Sequence, residues 1–166
     1  NGNELAVSAS AYMVTMSPTM ITEEEDAENI AKNLSEILDL NYDDVYEMTQ
    51  KNVSYVEVAR RLEDDVTQLV NNFIQENPGY SSIIAISEDS KRYYPHGNLL
   101  STVLGFVGID NQGLEGLEIS YDEYLSGTPG KIISVKTQGG TSMPFEYEKY
   151  IEAEDGCDIT LTIDLE

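Results

Sequence analysis

"RYYPHGNLLSTVLGFVG" spans Arg92–Gly108. It sets an Arg, two Tyr, a Pro, the chain's only His and three Gly around an apolar run. Such a mixture is either an active-site cluster or a tight joint between elements. Pro95 fixes its own φ and pushes Tyr94 toward extended backbone. Gly97, Gly105 and Gly108 suit turns and close backbone approach. His96 reads as a turn residue rather than a ligand.

The sequence on either side shows what this stretch joins. Upstream, "NELAVSASAYMVTMSP" (Asn3–Pro18) is dense in small, β-branched and aromatic residues, so a strand is expected there, stopped by Ser17-Pro18. "TEEEDAENIAKNLSEILDL" follows, with Thr22 and Glu25 placed as a capping box and acids in the first turn. Ala27, Ile30, Ala31, Leu34, Ile37 and Leu38 then recur at helical spacing. Asp43 and Asp44 open a shorter helix carrying Val45 and Met48. "SYVEVARRL" alternates as a strand. Leu62, Val66, Leu69, Val70, Phe73 and Ile74 mark another amphipathic helix, broken at Asn77-Pro78-Gly79, and "SSIIAIS" reads as a short buried strand.

Downstream, "GLEGLEISYDEYLSG" predicts a turn and then a helix with Leu117, Tyr121 and Leu125 on one stripe, ended by Gly127. "KIISVKT", "PFEYEKYIEA" and "DITLTID" read as strands. Helical periodicity is thus concentrated in residues 22–76 and strand periodicity at both ends. That predicts an α+β fold, with residues 1–21 and 77–166 forming a β-rich body and 22–76 a mostly helical head inserted into it.

The 166 residues suffice for one domain or two small subdomains, and 40% are apolar. The charge of -22, from 31 acids against 9 bases, argues against nucleic acid, which needs a basic face, and against an electrostatic grip on anionic lipid. Cys157 is the single cysteine, so no internal disulfide forms. One His and one Cys do not make an ordinary zinc site, and Cys157 beside a strand reads as a small buried hydrophobe. "SGTPGKI" fails as a phosphate loop, because Leu125 stands where the first Gly is needed and Ile132 where Ser or Thr is needed. No catalytic residue, metal or cofactor is expected. The chain opens at Asn1 without a Met, which suggests a piece of something longer, and Leu165-Glu166 could be a cloning scar.

Three segments in order, "RYYPHGNLLSTVLGFVG", "GLEGLEISYDEYLSGTPG" and "DGCDITLTID", resemble the pedestal, or dimerisation domain, of class B penicillin-binding proteins. There an Arg-x-Tyr-Pro-x-Gly segment leads into a short helix ending Gly-x-x-Gly. A Gly-x-x-Gly-x-Glu helix with a downstream Leu-x-Gly-x-x-Gly comes next, then a Leu-Thr-Ile-Asp strand. "NGNELA" is similar to the tail of the family's first motif, and the resemblance covers essentially the whole chain.

The resemblance implies a structural joint at Arg92, Tyr94, Pro95, Gly97, Gly105, Gly108, Gly113, Gly116, Glu118, Tyr121, Leu125, Gly127 and Gly130. Within it Arg92 is expected to pair with Glu118, because a guanidinium clamps a carboxylate in two places. The transpeptidase boxes Ser-x-x-Lys, Ser-x-Asn and Lys-Thr-Gly are absent, and Lys136-Thr137-Gln138 is a decoy for the last. The implied function is a non-catalytic extracytoplasmic module that positions a D,D-transpeptidase domain. The implied parent is a serine-type D-Ala-D-Ala transpeptidase with a single-pass anchor. Its implied partners are the transpeptidase domain of the same chain and cell-wall elongation, division or sporulation proteins, with a homodimer left open. The competing readings are the same module from a penicillin-inducible resistance transpeptidase or sensor, and an unrelated acidic ligand-binding domain.

Overall fold

The computed structural model describes residues 2–128, 130–133 and 149–163. The chain divides into two compact units, Val7–Tyr93 and residues 1–6 with 94–166. In the first unit the elements run β1 (Val7–Met16), α1 (Glu24–Leu38), α2 (Tyr42–Thr49), β2 (Val56–Leu62), α3 (Asp64–Glu76) and β3 (Ile84–Tyr93). The strands form one antiparallel sheet in the order β2-β1-β3. The fold is α+β, as expected, but the internal partition differs. Strand β1 lies at the centre of the sheet and pairs with β2 on one side and β3 on the other, so the sheet and the helices between its strands share one core, and the first strand falls within Val7–Tyr93.

The core forms where the face of β1 and β3 bearing Val14, Met16, Ile84 and Ile86 meets Ile30, Ala31 and Leu34 of α1, Val45 of α2, and Val70 and Phe73 of α3. The apolar spacing in α1 holds as read, with Ala27, Ile30, Ala31 and Leu34 buried. Its start does not: Glu23, not Thr22, is the N-cap, and no side chain caps it. Ile21 packs on the core and the helix begins one residue late, so Glu24, Glu25 and Asp26 serve the exposed N–H groups through their field alone. In α2, by contrast, the Asn41 side chain accepts from the Asp43 N–H at 2.8 Å. In α3 Leu69 is exposed and Thr67 is buried, its hydroxyl donating to the Glu63 carbonyl at 2.8 Å.

Strand β3 is longer than its apolar start suggests. It runs in unbroken register with β1 from Met16↔Ile84 to Val7↔Tyr93, so the quoted stretch begins inside a strand. Strand β2 is irregular: the pairs Tyr12↔Leu62, Val14↔Ala59 and Thr15↔Glu57 leave an extra β2 residue at two points. Arg61 adopts φ 57° there.

The second unit contains α4 (Ser101–Leu104), α5 (Gly116–Ser120), α6 (Asp122–Leu125) and the β4–β5 ribbon (Lys131–Ile133 with Lys149–Ile151). The single helix expected after Gly116 is broken at Tyr121, which caps one turn and opens the next. Residues 158–163 of "DITLTID" alternate in exposure from Asp158 to Leu161 but join no ladder among the described residues. Residues 134–148, with Lys136-Thr137-Gln138 and the first half of "PFEYEKYIEA", lie outside the described residues.

Candidate functional site

In the second unit the Gly-rich motifs lie where backbone crosses backbone. Gly105 ends α4 at φ 78°, ψ -154°, a region that essentially glycine alone occupies. A Cβ there would run into the carbonyl of Glu115. Gly116 lies on the other side of the same crossing, where a Cβ would sit 2.5 Å from the Val103 carbonyl oxygen. Gly113 abuts the Glu118 carbonyl and Gly108 the Gln112 side chain. The Leu114 N–H donates to the Phe106 carbonyl at 2.9 Å and the Gly108 N–H to the Gln112 carbonyl at 2.8 Å, closing the loop between the crossing chains.

A second crossing follows. Gly127 lies against the Glu154 carbonyl, and Thr128 and Glu154 exchange both backbone hydrogen bonds, at 2.8 and 2.9 Å. The carbonyl of Leu125 is what a Cβ at Gly156 would strike. Gly130 has the Ile151 carbonyl oxygen 2.9 Å from its would-be Cβ. Gly97 differs from all of these: nothing crowds it, and its φ of 57° closes the turn in which its N–H donates to the Tyr94 carbonyl at 3.0 Å. Exposed Pro95 occupies that turn.

Glu118 is buried, only 5% exposed, and accepts from the Tyr94 hydroxyl at 3.3 Å. Tyr94, Glu118, Tyr121, Leu125 and the downstream glycines therefore share one unit. Arg92 falls in the other, at the end of β3, where its guanidinium donates to the Ser8 hydroxyl at 3.1 Å.

Two contributors escaped the sequence reading. Asp122 accepts from the Gly113 N–H at 2.7 Å and from the Ser126 hydroxyl at 3.1 Å, holding the loop on α6. An Asp opening a helical turn is the signal for it. Gly156 sits in "EDGCD", where the Asp-Gly pair marks a turn but not the crossing. Cys157 is exposed, contrary to expectation, because its N–H is committed to the Tyr124 carbonyl at 2.7 Å at the rim of that crossing.

The first unit carries a different kind of surface. Glu25, Asp26, Glu28, Asn29 and Lys32 of α1 line a shallow groove with Tyr42 and Tyr80. The Tyr80 hydroxyl donates to Asp26 and accepts from Asn29, both at 2.9 Å, and burial foremost raises its pKa. The Tyr46 hydroxyl donates to Glu24, and that bond foremost lifts it to about 12. Neither tyrosine is poised to act as an acid or base near neutral pH. Among the described residues no cluster of His, Cys, Asp and Glu could hold a metal, and no helix is long and apolar enough to cross a membrane.

The family profile described as Penicillin-binding Protein dimerisation domain matches residues 1–161. Stage V sporulation protein D of Bacillus subtilis is 33% identical over 99% of this chain and 24% of its own length. Peptidoglycan D,D-transpeptidase FtsI of Buchnera aphidicola is 33% identical over 98% of this chain and 28% of its own length. The chain thus spans about a quarter of these relatives. The fold recurs in a solved complex between Penicillin-Binding Protein (PBP2) and MreC from Helicobacter pylori, at a TM-score of 0.64 and 18% identity, covering 92% of this chain and 31% of that one. It recurs also in Penicillin Binding Protein 2X from Streptococcus thermophilus, at a TM-score of 0.56 and 23% identity, covering 94% and 26%. With the profile matched across nearly every residue, including both glycine crossings, the chain belongs to the penicillin-binding protein dimerisation-domain family.

Proposed function

We propose that the chain is the non-catalytic pedestal of an extracytoplasmic, membrane-anchored D,D-transpeptidase. In this reading it holds the catalytic domain in place and offers a docking surface to cell-wall elongation, division or sporulation proteins. The observation that carries it is the pair of backbone crossings. Main chain packed on main chain leaves no room for side chains to rearrange, which suits a spacer that must keep its shape. The relatives named as transpeptidases support a catalytic parent. The solved complex of a similar fold with MreC supports a partner-binding role.

The absence of Ser-x-x-Lys from the sequence assigns the nucleophile to a part of the parent beyond these residues. The test is labelling with a fluorescent penicillin. This chain stays unlabelled, and the full-length parent takes one label that survives denaturation. In that parent, Glu25→Lys with Glu28→Lys leaves labelling of the purified protein intact and impairs wall synthesis in cells. Covalent labelling of this chain alone overturns the non-catalytic reading. Unimpaired wall synthesis removes the α1 face from the docking surface.

A further inference from the structure

We infer that the groove along α1 takes an extended segment of a partner protein that carries two arginines at alternate positions and an acid at the next. This rests on the docking role proposed above and supplies the chemistry of the partner. The groove is lined by the outer face of α1, by Tyr42 of α2 and by Tyr80. Glu25, Glu28 and Lys32 follow one another along it, all exposed. Asp26 and Asn29 are instead engaged by the Tyr80 hydroxyl, at 2.9 Å each.

Two independent observations point to arginine. The first is charge. The field of a helix N-terminus favours acids in the first turn and fades beyond it, and Glu28 lies past the first turn of α1. Glu28 also stands one turn from Glu24, where like charges destabilise a helix. A cation from outside relieves both strains. The second is an aromatic stack. The rings of Tyr42 and Tyr46 lie 5.8 Å apart and 14° from parallel. The Tyr46 hydroxyl donates to Glu24, which fixes the inner ring, and Tyr42 is 40% exposed at the groove wall. A ring held among carboxylates is a platform for a guanidinium, which stacks on the ring and forks a carboxylate at once. A lysine ammonium has no fork.

Spacing sets the rest of the pattern. Residues three apart on a helix, as Glu25 and Glu28 are, have Cβ atoms about 5–6 Å apart. Alternate residues of an extended chain are about 6.6 Å apart, so arginines at alternate positions reach both. Lys32 lies about 6 Å further along the axis, under the next alternate position. An acid there completes Arg-x-Arg-x-Glu, while a third base would meet like charge.

The experiment titrates this chain by NMR at about 0.15 M salt, where charges more than about 8 Å apart are screened. The probe is the capped peptide Gly-Arg-Ser-Arg-Ser-Glu-Gly. Amide shifts move along residues 25–32 and at Tyr42, and they saturate. Replacing both arginines of the peptide by lysine weakens binding about five-fold, through loss of the fork. Moving the acid between the arginines weakens it as well, at the same net charge. Tyr42→Leu lowers affinity for the arginine peptide about three-fold and narrows its lead over the lysine peptide. Glu28→Gln lowers it by a similar factor, and urea melts certify that both variants are folded. Equal binding of the three peptides, or shifts spread over the whole acidic surface, overturns the proposal. So does the lack of saturable binding at about 1 mM peptide. If charge reversal at Glu25 and Glu28 impairs wall synthesis and the peptides still fail, docking stands and the arginine chemistry falls. If the peptides bind and wall synthesis is unimpaired, the chemistry stands and the docking role falls.

Discussion

The two units of this chain solve the same problem by opposite means. Val7–Tyr93 buries Val14, Met16, Ile30, Leu34, Val45, Val70 and Ile84 almost completely and is held by apolar burial. In the other unit Leu104 is the one buried apolar residue among those described. Leu99, Val103, Phe106, Ile109, Leu114, Ile119 and Tyr124 all lie more than 40% exposed. Its order comes from glycines that let main chain touch main chain and from hydrogen bonds across the contacts. An apolar core tolerates exchange of one hydrophobe for another of like volume, whereas a backbone crossing tolerates no side chain at all.

That contrast is most exposed at Gly105. Gly105→Ala combines a backbone region closed to L-residues with a collision against the Glu115 carbonyl, and costs about 4 kcal/mol. Amide exchange accelerates over residues 94–128 and stays slow at Leu34 and Val70. Next comes Leu34→Ala, in the middle of the core, which costs about 3 kcal/mol through lost burial and the cavity left behind. It accelerates exchange in Val7–Tyr93 first. If either substitution loosens both regions equally, the division into two means of stabilisation is broken.

Glu118 sharpens the comparison, because it is the buried charged residue among those described in the unit with little apolar core. Glu118→Ala leaves the Tyr94 hydroxyl without this acceptor and costs about 2 kcal/mol, as hydrogen bonds to charged groups do. Glu118→Gln keeps an acceptor and loses about half as much. Urea melts of both variants measure it, and a loss below about 0.5 kcal/mol in each would leave the glycines to define the joint alone.

What could be read from the sequence follows the same division. The core helices were legible because burial imposes a period of 3.6: Ile30, Ala31, Leu34, Val70 and Phe73 sit where their spacing puts them. The glycines were legible as a set, since seven in a short segment need a structural reason. Which carbonyl each one meets was not, because a glycine records that space is needed and not what fills it. The second half of β3 was missed because Glu88–Arg92 is a polar edge with no apolar alternation, and the regular backbone of β1 alone sets its conformation. "DITLTID" erred the other way, having the alternation of a strand and no ladder among the described residues to join.

The smallest effect concerns the bulged side of the sheet. Asp89 reaches over Ala11 of β1, itself fully covered, to accept from Arg60 Nε and Nη2 and from the Arg61 N–H, each at 3.3 Å. Burial alone would raise the Asp89 pKa. The Arg60 hydrogen bonds, the Ser90 N–H, the Arg60 charge and the Arg61 N–H together outweigh it, and the net shift is downward from 3.8. A carboxyl depressed in the folded state gives stability that is complete above its unfolded value and lost as pH falls through the folded one. Most carboxylates here are exposed on a strongly acidic chain, so mild acid first relieves their repulsion and masks the effect. The difference between the wild type and Asp89→Asn isolates it. That difference is about 1 kcal/mol, the worth of an ordinary hydrogen bond, constant from pH 7 to 5, and shrinks below about pH 4. Urea melts of both proteins across that range measure it. A difference that stays constant down to pH 2 would show that Asp89 holds the bulge by shape alone, leaving the β2 edge irregular for reasons other than charge.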